Sequence, residues 1–90
     1  MKEMPFSQHE KEDRLIRTFS SDVESEELVW HRDKCDRIVK VIFGEGWQFQ
    51  AENQLPIYLK KGQVLFIPKE TYHRVIKGLS ELVVEIKEIK

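Results

Sequence analysis

The chain has 90 residues, with 15 Lys and Arg against 16 Asp and Glu and a formal net charge of -1. That size makes one small domain, and the balanced charge excludes a global electrostatic attraction to nucleic acid or an anionic membrane. A single Ala stands against eight Val and eight Ile, so the expected class is all-β rather than helical or disordered.

In chain order, residues 1–13 are polar and charged and read as a loose arm or a frayed first strand. Arg14-Leu15-Ile16-Arg17-Thr18-Phe19 reads as a strand, closed by the short polar turn Ser20-Ser21-Asp22. The next strand is expected over 26–32, followed by a charged connection over 33–36. Residues 37–43 and 46–51 flank Gly44-Glu45, which signals a hairpin. A strand over 55–60 has Pro56 near its start, where a missing donor is tolerated. Further strands are expected at 64–67, 71–76 and about 81–89, with turns at Lys61-Gly62-Gln63, Pro68-Lys69-Glu70 and Gly78. About eight short strands with turn signals between them predict a sandwich or barrel over residues 14–90.

The longest apolar runs are short, as in Val64-Leu65-Phe66-Ile67-Pro68, so no helix is expected to span a bilayer. Met1-Lys2-Glu3-Met4-Pro5-Phe6 has no apolar run of the signal-peptide kind, and the lone Cys35 makes no internal disulfide. The expected location is cytoplasmic. Alternation along strands puts His31, Arg37, Val39, Val41, Phe43, Trp47, Phe49 and His73 on one parity, with Leu28, Trp30, Ile38 and Ile42 on the other. Strands apolar on both faces need cover on both, and a chain this short has no second layer. A homodimer burying Trp30, Ile38 or Ile42 is therefore expected, with no nucleic-acid or membrane partner. Lys60, Lys61, Lys87, Glu88 and Lys90 read as solvated charges, the closing Lys and Glu guarding an exposed edge strand.

Of the three histidines, His9 lies in the charged arm and reads as solvated. His31 and His73 lie within expected strands, each beside a recognisable spacing. His31-Arg32-Asp33, three residues, Arg37, six residues and Gly44 resemble the first motif of the cupin superfamily, G-x5-H-x-H-x3-E-x6-G. Gly62, Pro68 and His73 resemble the second, G-x5-P-x-G-x2-H-x3-N, with Glu70 and Lys77 at its remaining positions. The resemblance covers about residues 25–78 and is stronger in the second motif. Ser25, Asp33 and Arg37 depart from the first, standing where the family has Gly, His and Glu. The resemblance implies a small antiparallel β-barrel of jelly-roll type, without carrying the family's chemistry over automatically.

Cupins that use a metal hold Fe, Mn, Zn or Ni on side chains that project into the barrel. By resemblance, the ligand set here is His31, Asp33 and His73, which suits a divalent ion with open positions. Arg37 opposes it, because a guanidinium about 5 Å from a divalent ion repels it by roughly 6–7 kcal/mol at an effective dielectric near 20. A metal-free site is therefore preferred, with Arg37 either paired to Asp33 or binding a carboxylate or phosphate. The leading expectation is a small anionic ligand in the barrel mouth, held by His31, Arg37 and His73 beside Trp47, Phe49, Phe66 and Tyr72. The alternative is a metal-dependent enzyme of oxygenase or isomerase type that uses His31, Asp33 and His73. A third class, an interaction protein with a sealed barrel, is disfavoured by the two internal histidines. Trp30 and Trp47 read first as packing residues and Cys35 as an ordinary thiol. No Gly-rich phosphate loop or Cys-based zinc pattern is present.

Overall fold

The computed structural model describes residues 4–90, and among them the only helical element is a 3₁₀ turn at Ser25–Glu27. Eight strands account for the regular structure: β1 (Ser7–Lys11), β2 (Arg14–Phe19), β3 (Asp36–Phe43), β4 (Gln48–Ala51), β5 (Ile57–Tyr58), β6 (Val64–Ile67), β7 (His73–Ile76) and β8 (Leu82–Ile89). The polar arm is thus a strand over part of its length, while residues 1–3 lie outside the described residues. No helix among the described residues is long and apolar enough to cross a membrane.

All pairings are antiparallel. They form a five-stranded sheet in the order β1-β2-β8-β3-β6 and a three-stranded sheet in the order β5-β4-β7. Alternation explains which face is buried. On β8, Leu82, Val84 and Ile86 point inward, and on β3 Val39 and Val41 do the same. Across the gap, Trp47 packs on Phe19 with ring centroids 5.7 Å apart, and its Nε1 donates to the Ser80 carbonyl at 2.7 Å. Trp47 is wholly buried, so it belongs to the core and not to the site mouth.

Several expectations are corrected. The two sheets face one another without joining edge to edge, so the barrel is not closed by strand pairing. One cause lies in residues 26–32, where a strand was expected and a 3₁₀ turn at Ser25–Glu27 stands at its start. Glu27 and Leu28 donate their amides to the carbonyls of Glu24 and Ser25, and the Glu27 carboxylate accepts from the Glu24 amide. Those local bonds satisfy the backbone before it can enter a ladder. His31 alone reaches a partner, through two backbone bonds with His73.

The hairpin expected at Gly44-Glu45 is absent as well, because β3 and β4 belong to different sheets. The segment instead accepts the 78–80 loop: Leu79 donates to the Glu45 carbonyl and the Glu45 amide donates to Ser80 Oγ. A Cβ on Gly78 would stand 2.4 Å from both the Glu45 oxygen and the Trp47 nitrogen, so this crossing requires glycine. A bulge between Val41 and Phe43 turns Phe43 outward, against its expected parity. β8 lies between β2 and β3 and is not the expected edge.

Candidate functional site

The two sheets enclose a cavity of about 490 Å³. Its floor comes from the inward residues of β2, β3, β6 and β8, and its roof from Phe49, Val75 and Leu59. Most of the lining is apolar. The polar groups gather at one end, where the 31–36 segment meets the 68–73 turn.

Four backbone-mediated bonds hold that junction. His31 and His73 exchange both amide-to-carbonyl bonds, Glu70 donates to the Asp33 carbonyl at 2.8 Å, and Lys69 donates to Asp36 Oδ1 at 2.8 Å. Glu70 sits at φ 63°, a left-handed turn residue that lets its amide face Asp33. The residues of the two motifs thus meet because two turns are stitched together.

Each imidazole is locked by its Nδ1. His73 Nδ1 lies 2.8 Å from the Thr71 carbonyl and His31 Nδ1 lies 3.0 Å from the Val29 carbonyl. A carbonyl only accepts, so each ring carries a proton on Nδ1. The two rings stand edge to face, with centroids 4.3 Å apart. Burial is the largest influence on His73 and lowers its pKa, opposed by the Thr71 carbonyl; His31 lowers it further. A neutral ring is the result at pH 7.

Asp33 completes the group. Its Oδ1 pairs with Arg37 Nη1 at 3.2 Å and its Oδ2 lies 3.4 Å from His73 Nε2. The side chain is 9% exposed, and Oδ2 has no hydrogen-bond donor among the described residues. One ligand atom each from His31, Asp33 and His73 falls within 4.8 Å of the others. This is the donor set that the sequence expected.

Arg37 does not stand free. Its Nη2 donates to Glu88 Oε2 at 2.8 Å while Nη1 faces Asp33. That hydrogen bond is the main cause of the lowered Glu88 pKa. The expected Asp33–Arg37 pair is therefore present, and a second carboxylate neutralises the guanidinium. Glu88 was read as a solvated charge; it is half-buried and turned inward. The signal was available in the alternation Leu82, Val84, Ile86, Glu88 along β8.

A second cation was missed for the same reason. Arg17 follows the inward parity of Leu15 and Phe19 on β2 and lines the cavity. Its Nε donates to Gln8 Oε1 at 2.8 Å, and Phe6 lies 3.8 Å beneath its guanidinium. Burial, then Arg37, lowers its pKa to about 10, which leaves it cationic at neutral pH.

Of the other expected binding residues, Phe49 lines the cavity, with its ring 5.7 Å from that of His73. Phe66 and Tyr72 do not line it. Phe66 is on the outward parity of β6 and Tyr72 stacks under Arg32 on the outer surface. Trp30 is also outside, beneath the Arg74 guanidinium at 4.9 Å. Cys35 is a free thiol.

No family model and no curated protein matches the sequence. Solved structures do. A cupin-2 domain protein from Shewanella frigidimarina is 27% identical, with a TM-score of 0.63 over 92% of this chain and 80% of that one. A cupin domain from Bordetella pertussis is 20% identical, with a TM-score of 0.63 over 100% of this chain and 99% of that one. A structure from a study of DMSP lyases is 16% identical with a TM-score of 0.69 over 81% of this chain. The chain spans only 35% of the length of that last relative.

Proposed function

We propose that this chain, a member of the cupin superfamily, binds a small molecule in its cavity beside a divalent transition ion held by His31, Asp33 and His73. One observation carries the reading: a buried Asp33 oxygen without a donor faces a histidine nitrogen that also has none to give. Two imidazoles and a carboxylate suit Fe, Mn, Zn or Ni. The Nδ1-to-carbonyl bonds orient both rings as metal-bound histidines are oriented elsewhere. The objection from Arg37 weakens, because Glu88 and Asp33 Oδ1 already balance its charge. Asp33 Oδ1 is thereby engaged by the guanidinium, and Oδ2 would be the atom left to hold an ion.

Such an ion would supply Lewis acidity to the site. The protein's own residues do the rest. Phe49, Leu65 and Val75 exclude water from the apolar part of the cavity, and Arg37 holds the Asp33 carboxylate in place. The molecule bound there is anionic on this reading: Arg17 and Arg37 balance Asp33 and Glu88, so a divalent ion leaves an excess of positive charge. We place the protein in the cytoplasm, with a second copy as its partner. The face offered is the outer surface of β3 and β6, where Ile38 pairs with Phe66 and Lys40 with Val64. Phe66 is 60% exposed and Val64 59%, on an edge strand.

The test is cobalt titration of the chelator-stripped full chain, read by visible ligand-field absorption. One equivalent of Co(II) bound by the native chain, and none by His73→Ala, is the expected result. Equal uptake by both would overturn the assignment.

A further inference from the structure

We propose that Arg17, and not the Arg37 of the motif, receives the head group of the cavity ligand, and that this ligand is an amphipathic carboxylic acid. The inference deepens the reading of the cavity as a ligand site, and it is independent of the ion.

Arg37 is already committed, since Asp33 and Glu88 occupy both of its terminal nitrogens. Arg17 is not. Among the described residues no carboxylate lies within ion-pair distance of it, and its one side-chain hydrogen bond runs from Nε to the neutral Gln8. Phe6 covers one side of the guanidinium plane. The register places Arg17 opposite Val84, which in turn pairs with Val41, so the charge rises from an apolar row of the sheet. A cation among such residues carries a desolvation cost, and with Asp33 and Glu88 both bonded to Arg37, an anion in the cavity offsets it directly. The remaining carboxylate on the lining, Glu27, is exposed and is engaged with the Glu24 amide.

The rest of the lining defines the other end of the ligand. Phe19, Phe49, Leu65 and Val75 present hydrocarbon and aromatic surface with no donor or acceptor. A volume of about 490 Å³ suits a medium-chain or aryl-substituted acid. An arginine fork recognises a planar carboxylate through two parallel bonds, which an alcohol of equal length cannot accept.

Calorimetric titration of the chelator-stripped full chain with octanoate and with 1-octanol tests this, because no metal is then present to hold the carboxylate. The native protein is expected to bind octanoate about tenfold or more tighter than 1-octanol. Arg17→Met should bring the two ligands level without loss of fold by circular dichroism, and Arg17→Lys should restore part of the preference. Leu65→Trp, which fills the cavity, should weaken both ligands. Equal binding of the two ligands by the native protein would overturn the carboxylate assignment while leaving the cavity a ligand site. A preference that survives Arg17→Met would move the head group to another residue and overturn the role of Arg17. Failure of the native protein to bind either ligand would remove the cavity reading, and this inference with it.

Discussion

His73 Nε2 and Asp33 Oδ2 stand 3.4 Å apart, while on the other side of the ring Nδ1 donates to the Thr71 carbonyl at 2.8 Å. The arrangement follows from the Thr71 carbonyl, which claims the only proton of a ring that burial keeps neutral. Two facing lone pairs in a desolvated site repel, so the contact awaits either a cation or a donor.

Asp33→Asn separates those two remedies. The amide can donate to His73 Nε2 while its oxygen still accepts from Arg37, so the metal-free protein should keep its stability within about 1 kcal/mol. Cobalt binding should be lost. Urea unfolding and the cobalt spectrum of the same preparation check both halves.

Arg37→Ala should be far more damaging, because it leaves Asp33 and Glu88 as uncompensated, partly buried carboxylates. A loss on the order of 2–4 kcal/mol is expected. Denaturant midpoints measure it, and a loss near zero would show that the network is solvated.

Glu88 sets an acid limit. Its folded pKa lies below the ordinary glutamate value of 4.5, chiefly through the hydrogen bond from Arg37. A carboxylate depressed in the folded state adds stability above its unfolded pKa and loses it as pH falls through the folded value. Native protein should therefore lose stability relative to Glu88→Gln as pH falls below about 4.5. Urea midpoints at pH 7, 5, 4 and 3 for the two proteins give the comparison.

Two glycines differ in what surrounds them. A Cβ at Gly78 meets backbone atoms at 2.4 Å, whereas at Gly44 it meets Leu82 Cδ1 at 2.8 Å. A leucine methyl can rotate away and a strand backbone cannot. Gly78→Ala should prevent folding or lower the thermal midpoint severely, and Gly44→Ala should lower it modestly.

The proposed dimer makes a simple demand on Phe66. The native chain should sediment as a dimer at tens of micromolar, and Phe66→Lys as a folded monomer. A native monomer under those conditions would leave the outer face of β6 without its proposed partner.

Much of the fold was legible because strands announce themselves locally. Residues 14–19 and 64–67 fall where alternation and turn residues put them, and β8 begins within a residue of its expected start. The 26–32 strand failed because Glu24, Ser25 and Glu27 satisfy one another's backbone, a local competition that hydrophobic pattern does not register. Phe66 and Tyr72 failed differently. Val64-Leu65-Phe66-Ile67 is apolar at every position, so nothing in it says which parity faces the cavity.

What the sequence by itself determined was the all-β class and the meeting of His31, Asp33 and His73, since the two motifs fix residue types at spacings that short strands and tight turns preserve. What only the tertiary structure decided was the company those residues keep. Glu88 and Arg17 enter the site from β8 and β2, outside the stretch the two motifs cover, and their charges are turned inward by pairing register within the same sheet as Arg37. Register is a property of two strands at once. Whether Arg37 repels an ion or stands neutralised between two carboxylates therefore depends on the strand beside it, which its own sequence neighbours do not specify.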